Sequence, residues 1–238
     1  RILASFRHTN IIGYMEAFIE SNTLWYEATS QHHNVFADDG DLYQKIVDYK
    51  KKGELFDEQD IWLTLIQVTR ALKSLHAANI LIEIEGTVGS NVDANVFINK
   101  DKIVKLGDMN VSKLARNGLL YTQTGTPYYA STLEIDAALK FGVINLTTPS
   151  PNVVAGCVIY EMTTLRPPFR AEDMEGLYKK VMKGVYPKIQ SQFSPELSNV
   201  IKSLLQVTPG SRPTAAKLLN SYILQKKTDN LILSKTIL

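Results

Sequence analysis

The longest regular pattern of apolar positions lies between Glu58 and Asn79. Apolar side chains recur there at alternating steps of four and three residues, at Ile61, Leu65, Val68, Leu72 and Leu75. This spacing places all of them on one face of a helix, the face that a globular protein buries against its core. The pattern therefore predicts a long amphipathic helix from Glu58 to Asn79.

Shorter helices are predicted from the residues that begin and end them. Asp41 stands where its carboxylate can cap a helix whose apolar face carries Leu42 and Ile46. Ser194 and Pro195 occupy the cap and first-turn positions of another helix. The remaining helices are predicted at Gly156 to Leu165, at Met174 to Val181 with Gly184 as the stop, and after Arg212-Pro213 through Leu219.

Short runs of β-forming residues predict strands between these helices. They lie at Ile11 to Ile19, Thr23 to Glu27, Ile80 to Ile84, Val96 to Ile98 and Ile103 to Leu106, the first two joined as a hairpin at Ser21-Asn22. Beyond Gln225 no clear period is visible, so residues 225–238 are predicted to be a tail. The elements together predict a mainly helical α+β fold.

Composition and charge narrow the class of protein. The 238 residues are 45% hydrophobic and 21% charged, which is enough to bury a sizeable core. A net charge of +2 gives no electrostatic case for a nucleic-acid partner, and no apolar run is long enough for a membrane span. Cys157 is the single cysteine, so no disulfide framework is expected and a reducing interior is the natural compartment. The first residue is not Met, which indicates a fragment.

Candidate chemistry lies in the stretch from Ile103 to Tyr129. The strand ending at Gly107 is followed at once by Asp108, which presents a carboxylate at a rigid edge. Further on, Gly125-Thr126-Pro127-Tyr128-Tyr129 combines a turn-forming glycine and a φ-locked proline around a hydroxyl. This arrangement resembles a protein kinase, in which an Asp directly after a strand binds Mg²⁺ and a similar block ends the activation loop.

The resemblance is to the NIMA-related (Nek) serine/threonine kinases. The matching blocks follow one another in kinase order: Arg1 to Ile12, Asp39-Gly40-Asp41-Leu42-Tyr43-Gln44-Lys45, Phe56 to Asn79, Ala94-Asn95-Val96-Phe97, and Gly156 to Pro187. The resemblance implies a kinase-like fold with a partial β small lobe and hinge at 1–37, a mainly helical large lobe at 38–224, and the tail. It also implies a cytoplasmic or cytoskeletal location.

Site residues follow from the same resemblance. It implies that Asp108 and Asn95 hold Mg²⁺ and ATP, whereas the alternative from the residues alone is a turn aspartate and a loop asparagine. Thr122 occupies the place of the activating phosphosite, and Thr126 lies in the block that ends the activation segment. Glu134 and Arg212 would form the ion pair that ties this segment to the large lobe, although Glu134 stands one position late.

The sequence departs from the family where the catalytic base belongs. The family places an Asp five residues before the metal-binding Asn, and Ser90 stands there. Asp93 is two residues and Glu85 ten residues from Asn95, so neither has the required spacing. The Gly-rich loop and ATP-binding Lys of the family are also not in this chain. The catalytic residue is therefore unknown.

Three interpretations follow. The first is a serine/threonine kinase-like domain that is weak or inactive in phosphoryl transfer to protein substrates. The alternative is a pseudokinase scaffold that binds a protein partner. The third is a defective gene product, because abrupt changes at 25–36, 82–93 and 133–153 interrupt well-matching blocks.

Overall fold

Runs of short strands and runs of helices follow one another along the part of the chain that the structure describes. The structure is a computed structural model, and it describes residues 7–20, 23–29, 40–78, 80–82, 95–107, 112–114, 152–171 and 174–236. The helices are α1 Leu42–Lys52, α2 Glu58–Ala77, α3 Asn152–Thr164, α4 Met174–Lys183, α5 Pro195–Leu204, α6 Ala215–Leu219 and α7 Tyr222–Thr236. The strands are β1 Gly13–Glu20, β2 Thr23–Thr29, β3 Ile80–Ile82, β4 Val96–Ile98, β5 Val104–Leu106 and β6 Ser112–Leu114.

Capping side chains set the helix ends that the sequence predicts. The Asp41 carboxylate accepts a hydrogen bond from the Gln44 backbone N–H at 2.7 Å, which begins α1. Ser194 caps α5, with Pro195 in its first turn. Gly184, with φ +63°, follows the last residue of α4 and donates its N–H to the Val181 carbonyl. These three predictions are confirmed.

Helix α2 is the centre of the core. It packs against α3, α6, α7 and β5. The predicted stripe is confirmed, because each of its members is at most 3% exposed: Ile61, Leu65, Val68, Leu72 and Leu75. Burial extends beyond the stripe to Trp62, Ile66 and Ala71, since neighbours lie on more than one side of the helix.

The strands of the described ranges form three antiparallel pairs, β1 with β2, β3 with β6, and β4 with β5. In the β4–β5 hairpin Val96 lies opposite Leu106. Two further segments flank this hairpin, because Ile11 bridges to Leu106 and Asp41 bridges to Phe97. The hairpin is thus held between the start of α1 and the segment that leads into β1.

Some boundaries differ from the prediction. Helix α3 begins at Asn152, four residues before the predicted start, and β6 was not predicted. The expected tail is helical through Thr236. Among the described side chains of α7, Leu224 is fully buried and Ile223 and Leu231 pack partly against the core, so its sequence shows little period. Within the described residues, we find no helix with the length and apolar character needed to cross a membrane.

Candidate functional site

Asn95 lies directly before β4, at the end of the β4–β5 hairpin where the site is predicted. Its backbone carbonyl accepts a hydrogen bond from the Gly107 N–H at 2.9 Å. Gly107 directly precedes Asp108 in the sequence. The hairpin register therefore brings the Asn95 backbone next to the residue that precedes the predicted carboxylate ligand.

Gly107 is buried at a close approach of three segments. A Cβ added there would lie 2.5 Å from a ring carbon of Phe97 and 2.7 Å from Cδ1 of Ile12. Real side chains do not come this close, so a larger residue would displace the ring or the isoleucine. Glycine is the residue that lets the strand end here without disturbing the hairpin.

A buried polar network joins the hairpin to α2. The Asn10 Nδ2 donates to Gln67 Oε1 at 2.8 Å and to the Val104 carbonyl at 2.8 Å. The same Gln67 Oε1 accepts from the Val104 N–H at 3.0 Å, and Gln67 Nε2 donates to the Lys102 carbonyl at 2.9 Å. Because buried amides are costly to leave unpaired, this network specifies how β5 lies on α2.

The turn between β4 and β5 is held to the start of α2. Lys102 has φ +60°, an uncommon conformation for a residue with a side chain. Its ammonium donates to Asp60 Oδ1 at 2.6 Å, and this hydrogen bond raises the pKa of Lys102. Asn99 Oδ1 accepts from the Ile103 N–H at 2.7 Å within the same turn. The hairpin is therefore anchored at its turn as well as along its strands.

Arg212 lies in the turn between α5 and α6 and is 8% exposed. Its Nε donates to the Gln206 carbonyl at 2.7 Å, and one terminal nitrogen donates to the Val207 carbonyl at 3.4 Å. A buried guanidinium bonded to these carbonyls fixes the end of α5. Its predicted partner, Glu134, lies outside the described residues, so their ion pair stays a prediction.

The other predicted site residues also lie outside the described part of the chain. They are Asp108, Thr122 and Thr126. Of the six predicted positions, the structure thus locates Asn95 and Arg212. The metal site, the phosphosite and the activation segment remain predictions from the sequence.

Two residues that support the site were not predicted. Gln67 interrupts the apolar run Leu65-Ile66-Gln67-Val68 in α2, and a lone amide in such a run signals a buried polar contact. Gly107 was interpreted only as a strand end. Phe97 lies in the neighbouring predicted strand, but Ile12 is distant along the chain, so the sequence alone does not show the close approach that requires a glycine.

Comparison with known proteins identifies the family. The family model described as protein kinase domain matches residues 1–223. A probable serine/threonine-protein kinase nek2 of Dictyostelium discoideum is 34% identical over 219 residues, covering 92% of this chain and 49% of the relative. The G2-specific protein kinase nimA of Emericella nidulans is 31% identical, covering 94% of this chain and 34% of the relative.

A third relative, serine/threonine-protein kinase Nek1 of Mus musculus, is 29% identical and covers 97% of this chain but 18% of the relative. The chain spans half or less of the length of each of these three relatives. The order of helices around α2 and the β4–β5 hairpin agrees with the fold that the resemblance implied. This chain belongs to the protein kinase family and is related to its NIMA-related serine/threonine kinases.

Proposed function

We propose that this chain is a serine/threonine kinase-like domain that retains a Mg²⁺–ATP site and is weak or inactive in phosphoryl transfer. The observation that carries the proposal is the placement of Asn95 beside Gly107, combined with Ser90 in the position of the base. Asn95 and Asp108 match the metal-binding positions of the family. The carboxylate that orients the attacking hydroxyl is replaced by Ser90.

The donor chemistry fits Mg²⁺. Asn95 offers an amide oxygen and Asp108 a carboxylate, and oxygen ligands of this kind suit the ion. The hydrogen bond from the Gly107 N–H to the Asn95 carbonyl, together with the anchored hairpin, fixes the backbone that carries Asn95. When bound, the ion neutralises charge on the transferring phosphoryl group. Asn95 and Asp108 would then hold and orient the nucleotide phosphates.

Ser90 is the reason for weak transfer. In phosphoryl transfer the catalytic carboxylate accepts the proton of the substrate hydroxyl and orients it for attack. A serine hydroxyl cannot take up that proton at neutral pH. Transfer should therefore be slow even where nucleotide binds.

A thermal-shift titration of the chain with ATP, with and without Mg²⁺, tests the binding half. A ligand at 100 times its dissociation constant adds about 2.7 kcal/mol to the stability of the folded state. We expect a Mg²⁺-dependent rise in Tm that Asn95→Ala removes and that Asn199→Ala, at an exposed position of α5, leaves intact. No shift in the folded wild-type chain contradicts nucleotide binding.

The transfer half is tested with labelled ATP and dephosphorylated casein as the acceptor. We expect incorporation near background for the wild type and a rise for Ser90→Asp, which puts a carboxylate at the family's spacing. Turnover by the wild type in the range of roughly 1–100 s⁻¹ that active kinases show would contradict the proposal.

The alternative is a pseudokinase scaffold that binds a protein partner through its helical lobe. Most of the described helices of that lobe pack into one core around α2, and α4 packs in a second, smaller cluster with Phe169, which supports a stable binding surface independent of nucleotide. Partner binding with the same affinity with and without Mg²⁺–ATP would favour the scaffold. The cytoplasmic or cytoskeletal location stays a prediction from the resemblance, which microscopy of the tagged protein tests.

A further inference from the structure

A cleft of about 690 Å³ lies between α2 and α7. Arg70, Lys73 and Ser74 line its α2 wall, Thr228 and Asp229 line its α7 wall, and His8 also lines it. Of the kinase-site residues that the structure describes, neither Asn95 nor Arg212 lines this cleft. It exists because the expected tail is a helix that lies beside α2.

The α2 wall is positively charged. Arg70 and Lys73 are three residues apart, so they project from the same face of the helix, and both are exposed. Within the described part of the chain, neither cation has a carboxylate within ion-pairing distance. Asp229 lines the same cleft without pairing to either of them. The two cations are therefore available to an anionic ligand.

His8 contributes a hydrogen-bond donor rather than a third charge. Its Nδ1 accepts a hydrogen bond from the Asn10 N–H at 3.0 Å, which leaves the ring proton of the neutral form on Nε2. Burial, with the charges of Arg70 and Lys105, lowers the pKa of His8, which favours the neutral ring. An N–H donor near a guanidinium and an ammonium suits the oxygens of a phosphate.

The α7 wall has the opposite character. Asp229 carries a negative charge, and the Thr228 hydroxyl already donates to the Leu224 carbonyl at 2.7 Å, so its free lone pairs accept hydrogen bonds. An isolated phosphate would be repelled by the carboxylate, and a cleft of this volume holds far more than one such ion. The charges favour a ligand that is negative at one end and positive at the other.

We propose that this cleft binds a phosphorylated peptide segment of a partner protein. Its phosphate lies at Arg70 and Lys73, and a basic side chain of the same segment lies at Asp229. Arginine clusters are a recurrent way of recognising phosphorylated residues. Asn95 is not among the residues that line the cleft, so the proposal stands whether or not the chain transfers phosphate.

Fluorescence anisotropy tests the proposal with a labelled peptide, Gly-Ala-phosphoSer-Ala-Arg-Ala-Gly, on the whole chain. We expect the double variant Arg70→Ala/Lys73→Ala to bind on the order of tenfold more weakly, because charge-assisted hydrogen bonds to the phosphate are lost. The wild-type chain should bind the unphosphorylated form of the peptide more weakly than the phosphorylated form, by a similar factor. The wild-type chain should bind this phosphopeptide more tightly than a phosphopeptide in which Arg is replaced by Ala. This difference in affinity should be smaller in the Asp229→Ala variant.

The matched control is Lys180→Ala/Lys183→Ala, which removes two exposed cations at the same spacing on α4. It should bind the phosphopeptide within about twofold of the wild type, since its charges are remote and screened by salt. Circular-dichroism melts confirm that both double variants fold. The proposal is overturned if both double variants lose the same affinity for the phosphopeptide, or if the wild type shows no preference for the phosphorylated peptide. Binding of a labelled oligonucleotide through Arg70 and Lys73, without binding of the peptide, also overturns it.

Discussion

Gly107 shows how one residue limits the candidate site. The strand that leads to Asp108 ends where Phe97 and Ile12 leave no space for a Cβ. The φ of Gly107 is not in the left-handed region, so its backbone conformation does not require a glycine. The glycine is required because its neighbours leave no space for a side chain. Any larger residue must displace the Ile12 side chain or the Phe97 ring, which belongs to the hairpin that carries Asn95.

Gly107→Ala is expected to lower the free energy of unfolding by about 1–2 kcal/mol, because the added methyl overpacks the site. Urea denaturation measures the loss. Gly210→Ala is the control, since nothing lies within 4 Å of a Cβ there. Adding Phe97→Leu to the Gly107→Ala variant should recover part of the loss. A Gly107→Ala protein as stable as the wild type would contradict the close approach.

Gln67 is the second residue whose environment decides its role. Replacing Gln67 by Leu leaves the Val104 N–H without its partner and removes one of two acceptors from the Asn10 amide. We expect a loss of about 1–3 kcal/mol, as for a buried polar group left unsatisfied. Gln59→Leu, exposed on the same helix, should change stability by at most about 0.5 kcal/mol.

A double-mutant cycle tests the contact directly. If Asn10 and Gln67 act as one network, Asn10→Leu/Gln67→Leu should destabilise the chain by less than the sum of the single changes. Additive losses in urea denaturation would mean that the two amides act independently.

At the scale of elements, α7 is held to α2 and α5 by one polar junction. The Glu58 carboxylate accepts hydrogen bonds from the Ser194 hydroxyl, from the Ser194 N–H at 2.7 Å and from Trp62 Nε1 at 2.9 Å. The ammonium of Lys227 lies 3.9 Å from Glu58 Oε1 and 5.0 Å from the centre of the Trp62 ring. A cation over an indole adds attraction to the ion pair.

This junction makes stability depend on pH. Burial alone would raise the pKa of Glu58, but hydrogen bonds from Ser194 and Trp62 and the charge of Lys227 hold it below its ordinary value of 4.5. A carboxyl with a lowered folded-state pKa stabilises the fold above its unfolded pKa, and that contribution is lost as pH falls through the folded value.

We therefore expect the difference in unfolding free energy between wild type and Glu58→Gln to be constant above about pH 5.5 and to shrink below about pH 4.5. Urea denaturation at several pH values measures it, with Glu196→Gln, exposed in the first turn of α5, as the control. A difference that stays the same down to about pH 3 would contradict the assigned partners.

On the scale of the whole molecule, α2 carries the core. Leu65 is fully buried in the cluster that also contains Leu72, Tyr160 and Leu204, from three different helices. Because these residues meet in one cluster, α2, α3 and α5 should unfold together.

Leu65→Ala is expected to lower the free energy of unfolding by about 2–5 kcal/mol, through lost burial and the cavity left behind. Val185→Ala, at a position 67% exposed, should change it by at most about 0.5 kcal/mol. Urea transitions followed by far-UV circular dichroism and by tryptophan fluorescence should coincide. Separate transitions would contradict a single core around α2.

The sequence by itself determined the elements whose causes are local. The cap at Asp41, the stop at Gly184 and the apolar stripe of α2 are set by neighbouring residues, so the start of α1, the end of α4 and the extent of α2 were predicted within a few residues. The family was also visible, because its blocks appear in order along the chain. The roles of Asp108, Asn95, Thr122, Glu134 and Arg212 as a site remain predictions of that resemblance.

Only the tertiary structure decided which residues distant along the chain meet. The contact of Asn10 with Gln67 and the crowding at Gly107 join segments separated by tens of residues, and no local pattern records such contacts. Helix α7 was missed for the same reason: its burial depends on single residues such as Leu224 meeting α2, without the repeated period by which a helix is recognised. The charged cleft beside Arg70 follows from that same packing.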